Sequence, residues 1–268
     1  MHIHQLYRYP VKSLGGQSVA SLQPEIRGFA DDRRWMFIEP NGQFISRRAV
    51  PTMCEFAAEV HDDELCFVRI SDGSILGAVA GARNGEKQVD VTVWDDSLTA
   101  TLIEDAGIPA IATGLGIPGA RLVYMTSEDH RPVDARFAKD GEEVSFADGF
   151  PYLVTSTASL DDLSGRVGEN LDERRFRPNI IVKNDVPFDE DNWTGLKIGT
   201  HRFRLPKPCA RCIMITQEPD TGARNLRVLA ELSAYRKVGN KVMFGMNACW
   251  EGGVDHVKVG DPVSVEDR

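Results

Sequence analysis

The sequence predicts a mainly β fold with a few helices, of the kind found in barrels and sandwiches. Many short segments rich in β-branched and aromatic residues are separated by turn residues. Asn41-Gly42 lies between two such segments and is the strongest local signal for a β-hairpin. Residues 89–94 alternate valine with polar neighbours, which is typical of a strand with one buried face.

In the first part of the chain the pattern predicts strands at residues 3–9, 34–38, 43–47, 66–70 and 89–94. The polar residues 95–97 can cap a helix that begins near Leu98, because their side chains accept hydrogen bonds from free amides. A second short helix is expected at residues 110–115, where glycine and proline follow.

In the second part we expect a strand at residues 121–125 that opens a new unit, after which the polar stretch 127–143 forms a linker or an exposed loop. Helices are predicted from Thr157 or Ser159 onward and at residues 227–236. Further strands are predicted at residues 179–183, 212–216, 242–249 and 254–263. We therefore divide the chain into an N-terminal β-barrel-like domain, residues 1–120, and a second β-barrel domain, residues 121–268.

Composition narrows the function classes. The 268 residues carry a formal net charge of −9, which argues against nucleic-acid binding because phosphate backbones need a basic face. No uninterrupted apolar stretch suits a membrane span, and the N-terminus shows no secretory signal. The five scattered cysteines do not suggest a disulfide framework. We expect a cytoplasmic protein, with neither nucleic acid nor membrane as a partner.

The segment Lys207-Pro208-Cys209-Ala210-Arg211-Cys212 is the sharpest local feature. Two thiols three residues apart can bind zinc, perform redox chemistry or supply one soft metal ligand. Zinc needs further ligands that the scattered cysteines and histidines do not suggest, and a redox pair prefers a helix start, whereas a strand is expected here. Two buried thiols acting as small hydrophobes remain the simplest alternative. The flanking lysine and arginine favour a thiolate and an anion instead.

A second set of polar residues is spread over predicted turns and strand ends: Lys12, Ser13, Arg33, Arg177 and Asn179. At the rim of a β-barrel, such residues are suited to a phosphate or a pterin, although each alone is also an ordinary surface charge. Asp148 is either a turn residue or a site carboxylate. Glycine-rich nucleotide loops and a Gly-x-Ser-x-Gly elbow are absent from the sequence.

Several of these segments, in this order and spacing, resemble proteins with a molybdenum-cofactor sulfurase C-terminal (MOSC) domain and its N-terminal β-barrel. The segments are YPVKS at 9–13, DRRW at 32–35, FRPNI at 176–180, DEDNW at 189–193, CARC at 209–212, PDTG at 219–222, FG at 244–245 and VGDPV at 259–263. Within the family, the chain looks most like amidoxime-reducing components and hydroxylaminopurine reductases.

The resemblance implies a reductase of N-hydroxylated bases and amidoximes that uses a molybdenum cofactor, molybdopterin with bound molybdenum. By position, Cys212 is the metal ligand and a catalytic residue, and Asp148 is a second catalytic residue, near the metal, where a proton donor is useful. The implied cofactor-binding residues are Lys12, Ser13, Arg33, Asp148, Arg177, Asn179, Arg211 and Asn247. A family association with pyridoxal phosphate binding accompanies the resemblance.

The sequence departs from the family pattern in a few places. Relatives often carry Ser or Thr beside the aspartate, where this chain has Ala147 and Gly149, and some carry Tyr at position 247. Some relatives carry a membrane anchor, but none precedes residue 1 here. Because no ferredoxin-like cysteine cluster follows the domain, we expect electrons from a separate ferredoxin, flavodoxin or cytochrome type protein with its reductase. Two other hypotheses stay open, a cofactor or sulfur carrier without turnover and a β-protein that has lost the metal.

Overall fold

A computed structural model describes residues 1–267, and the predicted mainly β class with a few helices is confirmed. The strands are β1 (His2–Arg8), β2 (Gln17–Val19), β3 (Ser21–Leu22), β4 (Pro24–Glu25), β5 (Gly28–Phe29), β6 (Trp35–Ile38), β7 (Phe56–His61), β8 (Glu64–Arg69), β9 (Ile75–Ala80), β10 (Lys87–Val93), β11 (Asp96–Ile103), β12 (Arg121–Tyr124), β13 (Tyr152–Ser156), β14 (Ile180–Lys183), β15 (Trp193–Ile198), β16 (His201–Arg211), β17 (Lys237–Val238), β18 (Lys241–Gly252), β19 (Val257–Lys258) and β20 (Val263–Asp267).

The helices are α1 (Ile108–Gly114), α2 (Thr157–Val167) and α3 (Leu226–Arg236). Short 3-10 turns cover Pro51–Glu55, Glu173–Arg175, Asp189–Asn192 and Ile213–Thr216. Ser156 caps α2 by accepting a hydrogen bond from the Ser159 amide, and Gly168 ends it in the left-handed conformation. Among residues 1–267, none of the helices combines the length and the apolar character that crossing a bilayer requires.

The largest sheet has nine strands and takes members from both ends of the chain. Its order is β2-β1-β14-β13-β18-β16-β15-β20, with β17 paired to β18. β13 and β14 are parallel and α2 connects them, as a parallel pair requires a crossover. β1 is antiparallel to β14, so the segment that follows β1 begins beside the segment that precedes β14.

Two smaller sheets in the first part of the chain have the orders β10-β11-β12-β6 and β7-β8-β9, and two-stranded pairs join β4 to β5 and β3 to β19. β12 pairs with β11 and β6, so a division at residue 120 separates this strand from the two strands it contacts. The predicted domains 1–120 and 121–268 stay a prediction. The apolar sides of these sheets form two cores, one around Trp35 and Phe67 and one around Met36, Val91 and Val123. Tyr152 and Trp193 lie in the core of the nine-stranded sheet.

The helix predicted to begin near Leu98 is wrong. Residues 96–103 form β11, whose last four residues are buried against the sheet, and Val93 pairs directly with Asp96. Trp94 and Asp95 therefore make a two-residue hairpin turn, in which Trp94 has a φ of 57°. Cross-strand pairing with β10 outweighs the capping signal of residues 95–97, because strand and helix signals compete for the same short segment.

The strand predicted at residues 212–216 is also wrong. β16 ends at Arg211, which pairs with Val242, and Cys212 precedes a 3-10 turn at Ile213–Thr216 that buries its last two residues. The predicted strand at residues 254–263 is divided between β19 and β20. Gly260 lies between these two strands and has a φ of 91°.

Candidate functional site

A cavity of about 400 Å³ opens where the segments after β1, before β14 and after β16 meet. All of the site residues predicted from the sequence line it: Lys12, Ser13, Arg33, Asp148, Arg177, Asn179, Arg211, Cys212 and Asn247. The volume lies in the range of small-molecule and cofactor sites, roughly 300–1,000 Å³. The fold therefore brings the predicted set together, while the role of each residue stays a prediction.

The cavity is strongly cationic although the chain as a whole is acidic. Two carboxylates, Asp134 and Asp148, line it together with eight cationic side chains: Lys12, Arg33, Arg47, Arg48, Arg175, Arg177, Lys207 and Arg211. Within residues 1–267, five of the eight form no ion pair, and these are Arg47, Arg48, Arg177, Lys207 and Arg211. A concave surface with this excess of positive charge attracts an anion.

Lys12 and Asp148 form the central ion pair of the cavity. The buried Lys12 Nζ donates to Asp148 Oδ1 at 2.7 Å and to the Phe146 carbonyl oxygen at 2.8 Å. Burial lowers the pKa of Lys12, and the neighbouring carboxylate opposes this shift. Desolvation raises the pKa of Asp148, but the Lys12 charge and hydrogen bonds from Lys12 and Trp94 hold it well below its ordinary value. The carboxylate is therefore ionised at neutral pH, and Lys12 carries the proton of the pair.

The loop that carries Asp148 is fixed by a buried arginine. Arg131 donates from Nη1 to the carbonyl oxygens of Ser145, at 2.8 Å, and Ala147, at 2.5 Å. Its Nε also donates to Asp96 at 2.8 Å. These hydrogen bonds satisfy main-chain acceptors that would otherwise be costly to bury. Asp148 thus projects into the cavity from a held segment, even though Ala147 and Gly149 offer no side-chain hydrogen bond of their own.

Arg33 and Arg177 enclose the ring of Tyr9 at one end of the cavity. Their guanidinium carbons lie 4.4 Å and 4.3 Å from the ring centre. Arg33 donates to Asp32 at 2.5 Å and to the Arg177 carbonyl oxygen at 3.1 Å. Arg177 donates to the Leu14 carbonyl oxygen at 2.5 Å, so both guanidiniums are oriented by main-chain atoms of the opposite segment.

The two predicted asparagines differ in what they offer a ligand. Asn179 Oδ1 accepts from Arg33 at 3.0 Å and from the Leu153 amide at 3.2 Å, and Nδ2 donates to the Tyr7 carbonyl oxygen at 3.3 Å. Its amide is therefore committed to orienting its neighbours. Asn247 donates from Nδ2 to the Pro208 carbonyl oxygen at 3.2 Å, which stabilises the strand before the cysteines.

Cys212 is exposed at the end of β16 and lies in the cavity wall. Arg48 Nη2 approaches its sulfur at 3.6 Å, and the Arg48 guanidinium lies 5.1 Å from the centre of the Trp94 ring. Arg211 instead donates to the sulfur of Cys209 at 2.9 Å. Each thiol thus has its own guanidinium, and the cation at Cys212 comes from the first part of the chain.

Strained backbone conformations concentrate around this cavity. Among residues 1–267, eight non-glycine residues have a positive φ, and four of these line the cavity. The four are Ser13 at 76°, Arg33 at 50°, Trp94 at 57° and Arg177 at 55°. Each such residue costs free energy that surrounding structure must supply, and outliers of this kind cluster at binding sites.

Sequence interpretation missed several side chains of this site, among them Phe44, Arg47, Arg48, Trp94 and Arg175. Arg47 ends the strand predicted at residues 43–47 and Arg48 follows it, so a position at a strand end was a usable signal, although the structure forms only isolated bridges at Gln43 and Phe44 in place of that strand. Because residues 95–97 are predicted to cap a helix, the sequence analysis does not recognise Trp94 as a hairpin-turn residue at an exposed tip.

The residues fit a metal carried by an anionic organic group. Within residues 1–267, no three His, Cys, Asp or Glu side chains cluster as metal ligands, so the geometry gives no support to a four-ligand zinc site. An exposed thiol beside unpaired arginines suits a soft metal whose other ligands come from its carrier. The partly buried Arg177, without a carboxylate partner among the described residues, suits that carrier's anionic end.

Comparisons with family models support this fit. The MOSC N-terminal beta barrel domain matches residues 1–113, and the MOSC domain matches residues 141–264, so that together they cover most of the chain.

Individual relatives are of two kinds. Mitochondrial amidoxime-reducing component 1 is 29% identical in Mus musculus and 27% in Homo sapiens, over 97% of this chain and 81% or 82% of the relative. Molybdenum cofactor sulfurase of Homo sapiens is 28% identical over 91% of this chain, which spans 29% of the sulfurase. The solved YuaD protein from Bacillus subtilis aligns over the whole chain with 8% identity and a TM-score of 0.42, too low for comparing sites.

The ion pair of Lys12 and Asp148 makes stability depend on pH. Asp148→Asn is expected to lower the free energy of unfolding at pH 7 by about 1 kcal/mol, a small value because the Asp148 side chain is 77% exposed. The folded-state pKa of Asp148 is depressed, so the stabilisation is present above the ordinary aspartate pKa and is lost as the pH falls below it. Denaturant unfolding at pH 7 and about pH 3 should show a smaller difference from wild type at the lower pH. An equal difference at both would contradict this assignment.

Proposed function

Because the chain belongs to the family of proteins with a MOSC domain and a MOSC N-terminal β-barrel domain, we propose that it is a molybdenum-cofactor-dependent reductase. Its substrates are N-hydroxylated compounds such as N-oxygenated bases and amidoximes. The relatives named amidoxime-reducing component align over most of their own length, which supports a reductase more than a fragment of another enzyme. The substrate class rests on those relatives' names.

One observation carries the proposal: an exposed cysteine lies in the wall of a cavity lined by eight cationic side chains. A thiolate there binds a soft metal, while the cations bind the anionic carrier of that metal. The fold brings these groups from residues far apart in sequence, so the arrangement is a property of the whole chain.

In the proposed site the chain's own residues bind, orient and protonate. Cys212 supplies the metal ligand, and Arg48 stabilises the negative charge on its sulfur. Arg33, Arg177 and Arg211 bind the anionic end and ring of the carrier, assisted by Lys12 and Ser13. When bound, the cofactor supplies the two-electron chemistry that reduction of a nitrogen–oxygen bond requires.

The sequence analysis expects Asp148 to donate a proton near the metal. We propose a different division of roles between Asp148 and Lys12. Asp148 is held as a carboxylate, so it orients Lys12 by accepting its hydrogen bond. The ammonium of Lys12 is the group of this pair that carries a proton, and burial lowers its pKa, which makes the proton easier to release. We therefore propose that Lys12 and Asp148 act together on the proton that reduction consumes.

We further propose that electrons come from a separate ferredoxin, flavodoxin or cytochrome type protein. An iron–sulfur cluster requires a set of cysteine ligands. Within the described residues, two cysteines line the cavity, Cys209 and Cys212, which is too few for such a set. The proposal also places the protein in the cytoplasm, where reducing conditions keep the Cys212 thiol available.

The direct test is metal analysis and a reductase assay on protein purified from a cofactor-producing host. We expect about one molybdenum per chain and reduction of a benzamidoxime-type substrate with an artificial electron donor. Stoichiometric metal without turnover would favour the alternative, a molybdenum-cofactor or sulfur carrier, to which the sulfurase relatives also point. Purified protein without molybdenum would contradict both the proposed reductase and the carrier alternative.

The two cysteines should behave differently. Cys212→Ala is expected to abolish molybdenum retention, because it removes the protein ligand, whereas Cys209→Ala should retain much of the metal. Molybdenum per chain after gel filtration measures both effects. If the two variants exchange behaviour, Cys209 is the ligand and our assignment is wrong.

Arg177→Ala should weaken cofactor binding, because charge-assisted hydrogen bonds contribute about 1.5–3 kcal/mol each. Cofactor per chain, measured as its fluorescent oxidation product, should fall markedly after dialysis. Arg166→Ala is a matched control, since Arg166 is exposed and pairs with Asp162 on α2. Unchanged occupancy in Arg177→Ala would remove this residue from the site.

A further inference from the structure

Trp94 is the most exposed of the four tryptophans in the chain. Trp35 and Trp193 are buried and Trp250 is partly buried, whereas 37% of the surface of Trp94 is accessible. Trp94 lies at the tip of the hairpin between β10 and β11, and it lines the cavity. A large aromatic side chain exposed in the wall of a cavity offers contact area to a ligand rather than to the core.

The backbone at Trp94 is locally unfavourable for this side chain. Its φ of 57° lies in the left-handed region, which two-residue hairpin turns usually fill with glycine, asparagine or aspartate. A bulky aromatic residue in this conformation costs free energy, and costs of this kind concentrate at functional sites. Because the turn itself does not favour tryptophan, the explanation for this residue lies in the contacts of its ring.

Contacts with two neighbours fix the orientation of the Trp94 ring. The indole Nε1 donates a hydrogen bond to Asp148 Oδ1 at 3.1 Å. The ring of Phe44, which packs against the core around Met36, meets the indole at 61° with the two ring centres 4.8 Å apart. A side chain that is already fixed in this way loses little conformational entropy when a ligand binds to it.

The ring lies close to both groups that the proposed reaction uses. Its centre is 5.7 Å from the Lys12 ammonium nitrogen and 5.1 Å from the guanidinium carbon of Arg48. Arg48 in turn approaches the sulfur of Cys212 at 3.6 Å. A compound that is held at the metal ligand and receives a proton from the pair of Lys12 and Asp148 therefore lies beside the Trp94 ring.

We propose that Trp94 is a specificity-determining residue whose ring stacks on the planar part of the substrate. The inference rests on the proposed function and narrows its substrate class to N-hydroxylated compounds in which a flat aromatic ring adjoins the reacting nitrogen. Aromatic rings stack on tryptophan over a contact area that a small aliphatic group does not offer. By binding the part of the substrate that does not react, Trp94 orients the nitrogen–oxygen group.

Equilibrium titration without an electron donor measures this binding, because no turnover occurs. The protein is purified from a cofactor-producing host, benzamidoxime is the planar probe, and acetamidoxime is the aliphatic probe with the same reacting group. Trp94→Leu is expected to weaken benzamidoxime binding about 10-fold through the loss of stacking, and to weaken acetamidoxime binding less than about threefold. Equal benzamidoxime affinity in wild type and Trp94→Leu overturns the proposal, and so does an equal loss for both probes.

Two further variants separate stacking from the hydrogen bond of the indole. Trp94→Phe keeps an aromatic ring but loses the hydrogen bond to Asp148, so its benzamidoxime affinity should stay within about threefold of wild type. Trp250→Phe is the matched control, since Trp250 lies outside the cavity lining and donates to His201 at 3.2 Å, and it should leave both affinities unchanged. A loss in Trp94→Phe as large as that in Trp94→Leu would assign the effect to the hydrogen bond and overturn stacking.

Steady-state kinetics separates a binding role from a structural one. In Trp94→Leu the KM for benzamidoxime should rise by a larger factor than kcat falls, since stacking acts on the bound substrate as well as on the transition state. A fall in kcat for both probes with unchanged KM would make Trp94 a positioning residue for Asp148 and overturn the proposal. If Trp94→Leu does not fold, Trp94→Asn replaces it with the same expectations, because asparagine readily adopts a positive φ.

The titration does not depend on the reductase reaction. A selective loss of benzamidoxime binding in Trp94→Leu, in a protein that reduces neither probe, would leave the stacking role standing and remove the proposed function. A protein that reduces both probes, and whose preference between them is the same in wild type and Trp94→Leu, would do the reverse.

Discussion

The antiparallel pairing of β1 with β14 is the constraint on which the candidate site depends. It places the turn that carries Lys12 and Ser13 beside the turn that carries Arg177 and Asn179, although about 165 residues separate them. Hydrogen bonds between main chain and side chains of these two turns then orient the guanidiniums. Without that pairing the cationic residues would be ordinary surface charges on separate loops.

The excess of cationic over acidic side chains at the cavity affects the stability of the fold as well as the binding of a ligand. Buried guanidiniums lose hydration, and repulsion among them adds to this cost, so the fold holds unfavourable energy at the cavity. A ligand that binds the folded state offsets this cost and shifts the folding equilibrium in proportion to its affinity. The strained φ values at Ser13, Arg33, Trp94 and Arg177 are a second such cost in the same place. Stability and ligand binding are therefore coupled in this protein.

The cysteine segment shows how local sequence and tertiary contacts divide the chemistry. Arg211 precedes Cys212 in sequence, yet its guanidinium contacts Cys209, and Cys212 is approached by Arg48 from the other part of the chain. In a segment leaving a strand, adjacent side chains point in opposite directions, so sequence neighbours do not share a face. Charge at the exposed thiol is consequently set by the packing of two chain segments rather than by its flanking residues.

The sequence by itself determined the β-rich class, several strand positions and, through the order of its motifs, nine of the residues that line the cavity. The alternation of polar and apolar residues, the turn residues and the order of the motifs can be recognised in the sequence without knowledge of tertiary contacts. Tertiary structure alone decided that residues 96–103 pair as a strand, that Cys212 precedes a 3-10 turn, and that Arg47, Arg48 and Trp94 join the site. The tertiary structure also decided that the side-chain oxygen of Asn179 accepts a hydrogen bond from Arg33 and so orients that guanidinium. These outcomes depend on pairing and burial between segments distant in sequence, which outweigh the small energies of local preference.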